Sequence, residues 1–293
     1  MKYLNTRYTS LFDSLVGGPS SNTSYNAVFC NLSSTFCKKT LPSLSDIYVA
    51  FFYSTTHPNN TLYKIFRINF STFSICISEG NMSVGISMIK NGTETSLWSA
   101  NVPLISNNVP GGNSYHGRHI FCHIDTSLGI IELYCNGILY ASISLTMNSE
   151  TTSDFSIGVL SASASSFSRV YFNNLIVSDS AFDPSERVTN VTPNITSTDW
   201  TVSSGVASTD TVGGTMTLTP PANAIDETTK TVTGYSVAFL ECTPSATINA
   251  LDVTQGTTTK QAILPSGGSI ELDAFTVSQL NNISASVEAA YVS

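Results

Sequence analysis

Charged residues are scarce in this chain of 293 residues, since Asp, Glu, Lys and Arg make up only 11% of it. The net charge is −8 and no run of Lys or Arg occurs, which argues against nucleic-acid binding because phosphate contacts need clustered bases. No stretch reaches the about eighteen apolar residues of a membrane helix, so we expect no membrane insertion. The opening MKYLNTRYTSLFDSLVGG lacks the apolar core of a signal peptide, which predicts a protein made in the cytoplasm without export.

Zinc-type cysteine spacings are also missing, because none of the six cysteines belongs to a C-x-x-C pair. They are Cys30, Cys37, Cys76, Cys122, Cys135 and Cys242. This density is too low for a disulfide scaffold, so we expect mostly reduced, buried thiols that pack as small apolar groups. Cys122 and Cys135 are expected on one face of neighbouring strands, where a disulfide is a conceivable alternative.

Sustained helical periodicity is the last absence, and strand patterns take its place. Ser, Thr and Asn supply roughly a third of the residues, a composition that favours strands and turns over helix interiors. Apolar alternation is clear in IYVAFFYS (47–54), and turn signals recur at short intervals. The chain is therefore predicted to be all-β. Residues 101–117, with two Pro and three Gly, are predicted to form a long loop.

The distribution of acidic residues predicts two domains. From residue 195 onward the chain has two bases, Lys230 and Lys260, against nine acids, whereas the preceding part is nearly neutral. We expect a β-sandwich over residues 1–188, a linker over 189–198 and a small acidic β-sandwich over 199–293.

A tight hairpin is predicted within GIIELYCNGILYAS (129–142), because Asn136-Gly137 favours the positive φ angles of a type I′ turn. The strand I-x-L-Y-C-N-G-I-L resembles the central meander of laminin-G-like, or concanavalin A-like, lectin and glucanase domains. SRVYFNNLIVSDSAFDPSER (168–187) is similar to the closing segment of that family. The resemblance covers residues 20–188 and implies a jelly-roll sandwich in the N-terminal domain.

The resemblance leaves the function open, since the family includes lectins, hydrolases, adhesins and spacers. Its glucanases carry an E-x-D-x-E cluster, whereas Glu132 stands alone in its strand, so we expect no enzyme. Calcium is the family's other resource, and the resemblance implies Asp125, Asn136 and the acids of 179–186 as ligand candidates. No contiguous ligand loop appears in the sequence, so we expect no bound cofactor or metal, with calcium as the alternative, and Asp125 and Asn136 are expected to be turn residues.

A sugar contact is expected at NSYHGRH (113–119), beside a Gly-rich loop. Its candidate residues are Asn113, Tyr115, His116 and Arg118. Tyrosine can stack on a sugar ring, while Asn and Arg donate to hydroxyl groups.

Two other groups of residues have both a functional and a structural interpretation. His116, His119 and His123 could form a metal site, or they could belong to a solvated strand face. Trp98 and Trp200 are predicted to be core anchors rather than sugar-stacking platforms.

The whole composition resembles tail-fibre, appendage or capsid-decoration proteins of tailed bacteriophages. The C-terminal LPSGGSIELDAFTVSQLNNISASVEAAYV carries this likeness for residues 199–293. We expect a non-enzymatic virion structural protein, bound to other virion proteins as a homo-oligomer, with a trimer as the first expectation. The alternative is a carbohydrate-binding adhesin or lectin module that recognises host surface glycans.

Overall fold

The structure is a computed structural model. It describes residues 2–5, 9, 12–22, 27–30, 34–55, 63–80, 83–103, 105–108, 114–160, 170–186, 188, 191–203, 206–222, 238–242, 244–255, 258–263, 268–271 and 285–290. The chain divides into two compact units, Met1–Val188 and Thr189–Ser293.

The described residues of the first unit form β-strands joined by turns. In chain order they are β1 (Lys2–Asn5), β2 (Ser14–Val16), β3 (Ser20–Asn22), β4 (Ala27–Cys30), β5 (Thr35–Thr40), β6 (Asp46–Thr55), β7 (Tyr63–Phe70), β8 (Phe73–Glu79), β9 (Ser83–Lys90), β10 (Thr93–Asn101), β11 (Ile105–Asn108), β12 (Ser114–Asp125), β13 (Ile130–Cys135), β14 (Ile138–Ser144), β15 (Thr152–Val159) and β16 (Val170–Ser178).

These strands form two antiparallel sheets. The nine-stranded sheet has the order β14-β13-β12-β6-β16-β4-β3, with β1 beside β16 and β11 beside β12. The seven-stranded sheet has the order β10-β9-β8-β7-β15-β5-β2. Phe51 of the first sheet stacks on Phe66 of the second, with ring centroids 5.4 Å apart. The all-β prediction is confirmed, and this unit is a two-sheet sandwich.

Strand alternation explains where the core lies. Ile47, Val49 and Phe51 all have an exposed fraction of 0%, because every second side chain of β6 points into the sandwich. Asn136 and Gly137 have φ angles of +53° and +82°, the positive values that the hairpin turn requires.

The cysteines follow the same alternation. The thiols of Cys30, Cys37, Cys76, Cys122 and Cys135 are free and buried, as predicted, whereas the side chain of Cys242 lies outside the described residues. Cys122 is paired with Leu133 in the register, and Cys135 with Ile120. The two thiols are therefore diagonal neighbours and form no disulfide. Burial raises the pKa of each of these two thiols to about 12.

The described residues of 101–117, predicted to form one long loop, are mostly in strands. Asn101 ends β10, and β11 pairs with the first part of β12, from Ile105 opposite Gly117 to Asn108 opposite Ser114. The Pro and Gly content of this segment does not reveal the pairing of β11 with β12, because backbone groups rather than apolar alternation supply that pairing.

The described strands of the second unit are β17 (Asn194–Ser197), β18 (Thr201–Ser203), β19 (Val206–Ser208), β20 (Thr215–Thr219), β21 (Ala238–Cys242), β22 (Ala250–Gln255), β23 (Thr258–Ile263), β24 (Gly268–Glu271) and β25 (Ala285–Ala290). One sheet has the order β17-β20-β25-β22-β23, while β18 pairs with β19 and β21 with β24.

The core of this five-stranded sheet is a row of apolar side chains. Met216 is paired with Val287, and Val287 with Val253, and all three are buried. β17 lies within the segment expected to be a linker, where it pairs with β20. The described residues of the whole chain include no helix that could cross a membrane.

Candidate functional site

The structure describes only part of the segment expected to contact a sugar. Asn113 lies outside the described residues. Tyr115 and His116 belong to β12, where they are paired with Asn107 and Ser106 of β11, and their side chains lie outside the described part of the chain. Only Arg118 has a described side chain.

Arg118 is buried in the core of the sandwich and is not accessible to a ligand. Its guanidinium and the Glu79 carboxylate form an ion pair with exposed fractions of 0% and 1%. The guanidinium Nε donates to the Val102 carbonyl at 3.1 Å, and Nη1 donates to the Gly80 carbonyl at 3.2 Å. Burial lowers the pKa of Arg118 to about 10, so the side chain stays charged at neutral pH. Its role here is to tie the two sheets together.

A cavity of about 470 Å³ lies instead on the seven-stranded sheet. A row of paired residues crosses four strands there, from Lys64 to Ser78, Gly85 and Ser99. All four residues line the cavity. Because three of them have small side chains or none, they leave a trough in a surface that larger side chains would fill. We call this cavity the serine groove.

A charged pair occupies one part of the serine groove. Lys64 Nζ lies 2.8 Å from Glu94 Oε2, and the Ser87 hydroxyl donates to Glu94 Oε1 at 2.7 Å. The hydrogen bond from Lys64 lowers the pKa of Glu94 below its usual range, assisted by Ser87 and opposed by burial. Glu94 is therefore ionised at neutral pH, and its two oxygens are held in place.

Trp98 lines the serine groove together with Ser96. A bulge between these two residues shifts the register of β10 against β9, and Trp98 is half-buried. Trp98 is paired with the buried Ile86 and also borders the cavity, so it is a half-buried residue rather than a fully enclosed one. Sequence reasoning missed this position because a bulge breaks the two-residue alternation on which inward and outward assignments depend. The second tryptophan, Trp200, is half-buried in the other unit, where its Nε1 donates to the Gly214 carbonyl at 2.9 Å.

Two of the candidate calcium ligands, Asp125 and Asn136, are not brought together. Asp125 lies at the end of β12 and accepts hydrogen bonds on Oδ1 from the Ser127 hydroxyl and from the backbone N–H of Leu128. Asn136 follows the opposite end of β13 and accepts from the backbone N–H of His119 at 2.9 Å. Both residues therefore hold turns, as expected. Burial opposes ionisation of Asp125, but the hydrogen bonds and His123 lower its pKa.

A cluster of three potential ligands does lie on the nine-stranded sheet. Asp46, His123 and Asp125 each offer an atom within 4.8 Å of the others. The ring of His123 stacks on Tyr48 with centroids 4.2 Å apart and an interplanar angle of 3°. Of the other two histidines considered in the sequence, His119 is buried and does not belong to this cluster, while the side chain of His116 lies outside the described residues.

No protein-family model and no curated protein matches the chain. Among solved structures, the chain is similar to the binding domain of botulinum neurotoxin serotype D, with 10% identity and a TM-score of 0.41 over 62% of this chain and 44% of that one. The chain is also similar to a structure of botulinum neurotoxin type C, described in terms of interaction with two ganglioside molecules. The identity is 14% and the TM-score is 0.45, over 58% of this chain and 44% of that one. For a pentraxin from Limulus polyphemus the identity is 14% and the TM-score is 0.37, over 53% of this chain and 77% of that one. The chain thus spans less than half of the two toxin structures, and no residue role is transferred from any of the three.

Proposed function

We propose that the first unit binds carbohydrate in the serine groove of the seven-stranded sheet. The observation that carries this proposal is the groove itself, in which an aromatic ring, several hydroxyl groups and an ion pair surround about 470 Å³. That volume lies within the range of small-ligand sites, about 300–1,000 Å³. Paired strands hold the groove open, so little ordering is needed when a ligand binds.

The chemistry of the groove suits a sugar. A pyranose ring has an apolar face of C–H groups and a rim of hydroxyl groups. The Trp98 indole offers an apolar surface with an N–H donor, while Ser96 and Ser99 offer hydroxyls that both donate and accept. Lys64 and Glu94 add a charged donor and a charged acceptor, whose hydrogen bonds are stronger than neutral ones.

Binding rather than hydrolysis is proposed. Glycosidases of the usual mechanism flank the scissile bond with two carboxyl groups. Among the described residues that line the serine groove, Glu94 is the one carboxylate. It is already engaged by Lys64 and Ser87, which suits a role in holding a hydroxyl group.

The laminin-G-like assignment and the virion role stay predictions from the sequence, as do the partner proteins and the trimer. A glycan site is compatible with that role, because an appendage of a virus particle that attaches to a cell needs a ligand on the cell surface. We therefore propose host surface glycans as the first ligands to test.

The test is binding of the full chain to an array of bacterial surface polysaccharides, followed by titration calorimetry with the best ligand. Trp98→Ala should weaken binding by at least about 10-fold, which corresponds to about 1.4 kcal/mol. Ser99→Tyr should abolish binding, because Ser99 is exposed and a phenol ring there fills the trough.

The matched control is Thr93→Tyr, which adds the same ring at an exposed position of β10 outside the groove and should leave affinity unchanged. Thermal unfolding of each variant separates lost binding from lost folding. Affinity that is unchanged in Ser99→Tyr but lost in Tyr115→Ala would place the site at residues 113–118 and contradict the groove.

A further inference from the structure

We propose that Asp46, His123 and Asp125 bind a divalent transition-metal ion of the Zn²⁺ type on the nine-stranded sheet. This inference does not rest on carbohydrate binding, since the serine groove lies on the other sheet. It rests on the donor set, on the spacing of the donor atoms and on a carboxylate behind the imidazole.

The strand register gathers the donors. Asp46 of β6 is directly paired with Asp125 of β12, and His123 lies two residues before Asp125 on the same strand. Residues that are directly paired, or two apart, project from the same face of a sheet. The three side chains therefore share one face near one end of two adjacent strands, with no backbone rearrangement required.

The spacing is close to that of ligands around one ion. His123 Nε2 lies 2.9 Å from Asp46 Oδ1, and all three donor atoms lie within 4.8 Å of one another. With metal–ligand bonds of about 2.0–2.2 Å, two ligands of one ion are about 3.0–3.5 Å apart. Small side-chain rotations would therefore bring the three donors onto a single ion.

A fourth residue prepares the imidazole for coordination. Glu132 Oε2 lies 3.4 Å from His123 Nδ1. The other ring nitrogen, Nε2, faces Asp46. His123 Nε2 lies within hydrogen-bond distance of Asp46 Oδ1, and when a metal takes the place of that hydrogen bond the carboxylate at Nδ1 keeps the ring proton there. The stacked ring of Tyr48 fixes the plane of the imidazole. Metal-binding histidines are commonly oriented by such outer carboxylates.

The charge of the cluster also favours a dication. Asp46, Asp125 and Glu132 surround one imidazole, and within the described part of the chain none of the three pairs with a Lys or Arg side chain. Asp125 is only 7% exposed, so water screens its charge less than at the surface. A bound dication would compensate this charge.

The donor types select the metal. Calcium and magnesium prefer sites made of oxygen ligands, whereas an imidazole nitrogen with carboxylates suits Zn²⁺ and its neighbours in the first transition series. We therefore expect Zn²⁺ to bind much more tightly than Ca²⁺, which differs from the calcium site that the sequence resemblance implied.

The test uses the full chain, dialysed against EDTA and titrated with ZnCl₂ and with CaCl₂ by calorimetry. The wild type should bind one Zn²⁺ at this site. His123→Ala and Asp46→Asn should each weaken Zn²⁺ binding by more than about 10-fold, because each removes a direct ligand. Glu132→Gln should weaken it by about 10-fold through loss of the outer carboxylate.

Asp210→Asn, which neutralises an exposed acid of the second unit, is the control for a general loss of negative charge and should not change the Zn²⁺ affinity. Asp46 is half-exposed, so its substitution tests the site even if His123→Ala fails to fold. Equal Zn²⁺ affinity in the wild type and Asp46→Asn would overturn the proposal. So would a folded wild type that takes up no Zn²⁺ or that prefers Ca²⁺.

Discussion

At the scale of single residues, Arg118 and Glu79 form a buried ion pair between the two sheets. It joins β12 of one sheet to β8 of the other, where both side chains are removed from water. A buried ion pair stabilises a fold little compared with apolar side chains of the same size, but removing one partner leaves an uncompensated charge in the core. The pair therefore behaves as a unit.

This view predicts a strong non-additivity. Arg118→Ala should lower the free energy of unfolding of the first unit by about 3–5 kcal/mol, because Glu79 is left buried and unpaired. The double variant Arg118→Met/Glu79→Met should recover most of that loss. Urea unfolding followed by Trp98 fluorescence, in a Trp200→Phe background, measures both. A double variant at least as unstable as the single one would show that the charges themselves are needed.

At the scale of strands and turns, two Asn-Gly hairpins offer a matched comparison. Asn91 and Asn136 have φ angles of +51° and +53°, so both accept the left-handed conformation. They differ in the hydrogen bonds that their side chains make. Asn136 Oδ1 accepts the His119 N–H, whereas Asn91 is exposed and makes no side-chain hydrogen bond with the described residues.

The two hairpins should therefore respond differently to the same substitution. Asn136→Ala should destabilise the first unit by about 1 kcal/mol more than Asn91→Ala, since it leaves a buried backbone donor without its partner. The strain of a positive φ at alanine is common to both variants and cancels in the difference. Urea midpoints at constant slope check this. Equal losses would mean that water replaces the Asn136 side chain at no cost.

At the scale of the whole molecule, the first unit extends beyond its last strand, β16, to Val188. Residues 179–186 follow β16, and Phe182 packs edge-on against Phe121 with ring centroids 5.2 Å apart. Phe121 belongs to an apolar cluster on the nine-stranded sheet with Ala50 and Ile176, and Tyr48 and Val188 also pack against it. The segment therefore covers apolar surface that would otherwise meet water.

Truncation tests both the boundary and the segment. A chain that ends at Val188 should unfold in one cooperative urea transition, because its core lies within the first unit. A chain that ends at Ser178 should be less stable by about 2 kcal/mol, the scale of exposing one large apolar side chain. A 1–188 fragment without near-ultraviolet circular dichroism or a cooperative transition would show that the division does not correspond to a folding unit.

Most long strands of the first unit could be predicted, because apolar alternation reports burial of one face. Strands β2 and β3 are hard to predict, since each has only three residues and lies at a sheet edge. β5 is hard to predict because TFCKKT carries two adjacent lysines. The candidate sites were harder: Arg118 belongs to the core, while Trp98 borders a cavity. Neither fact is visible without the register between strands.

The sequence by itself determined the all-β fold, the Asn136-Gly137 turn and the burial of the five described thiols, since these depend on local conformation and on two-residue alternation. Only the tertiary structure decided which polar residues meet. Glu79 and Arg118 are 39 positions apart, Asp46 and His123 are 77 apart, and each pair forms where separate strands or sheets come together. Such contacts depend on sheet order and register, which backbone hydrogen bonds and packing fix across the whole unit.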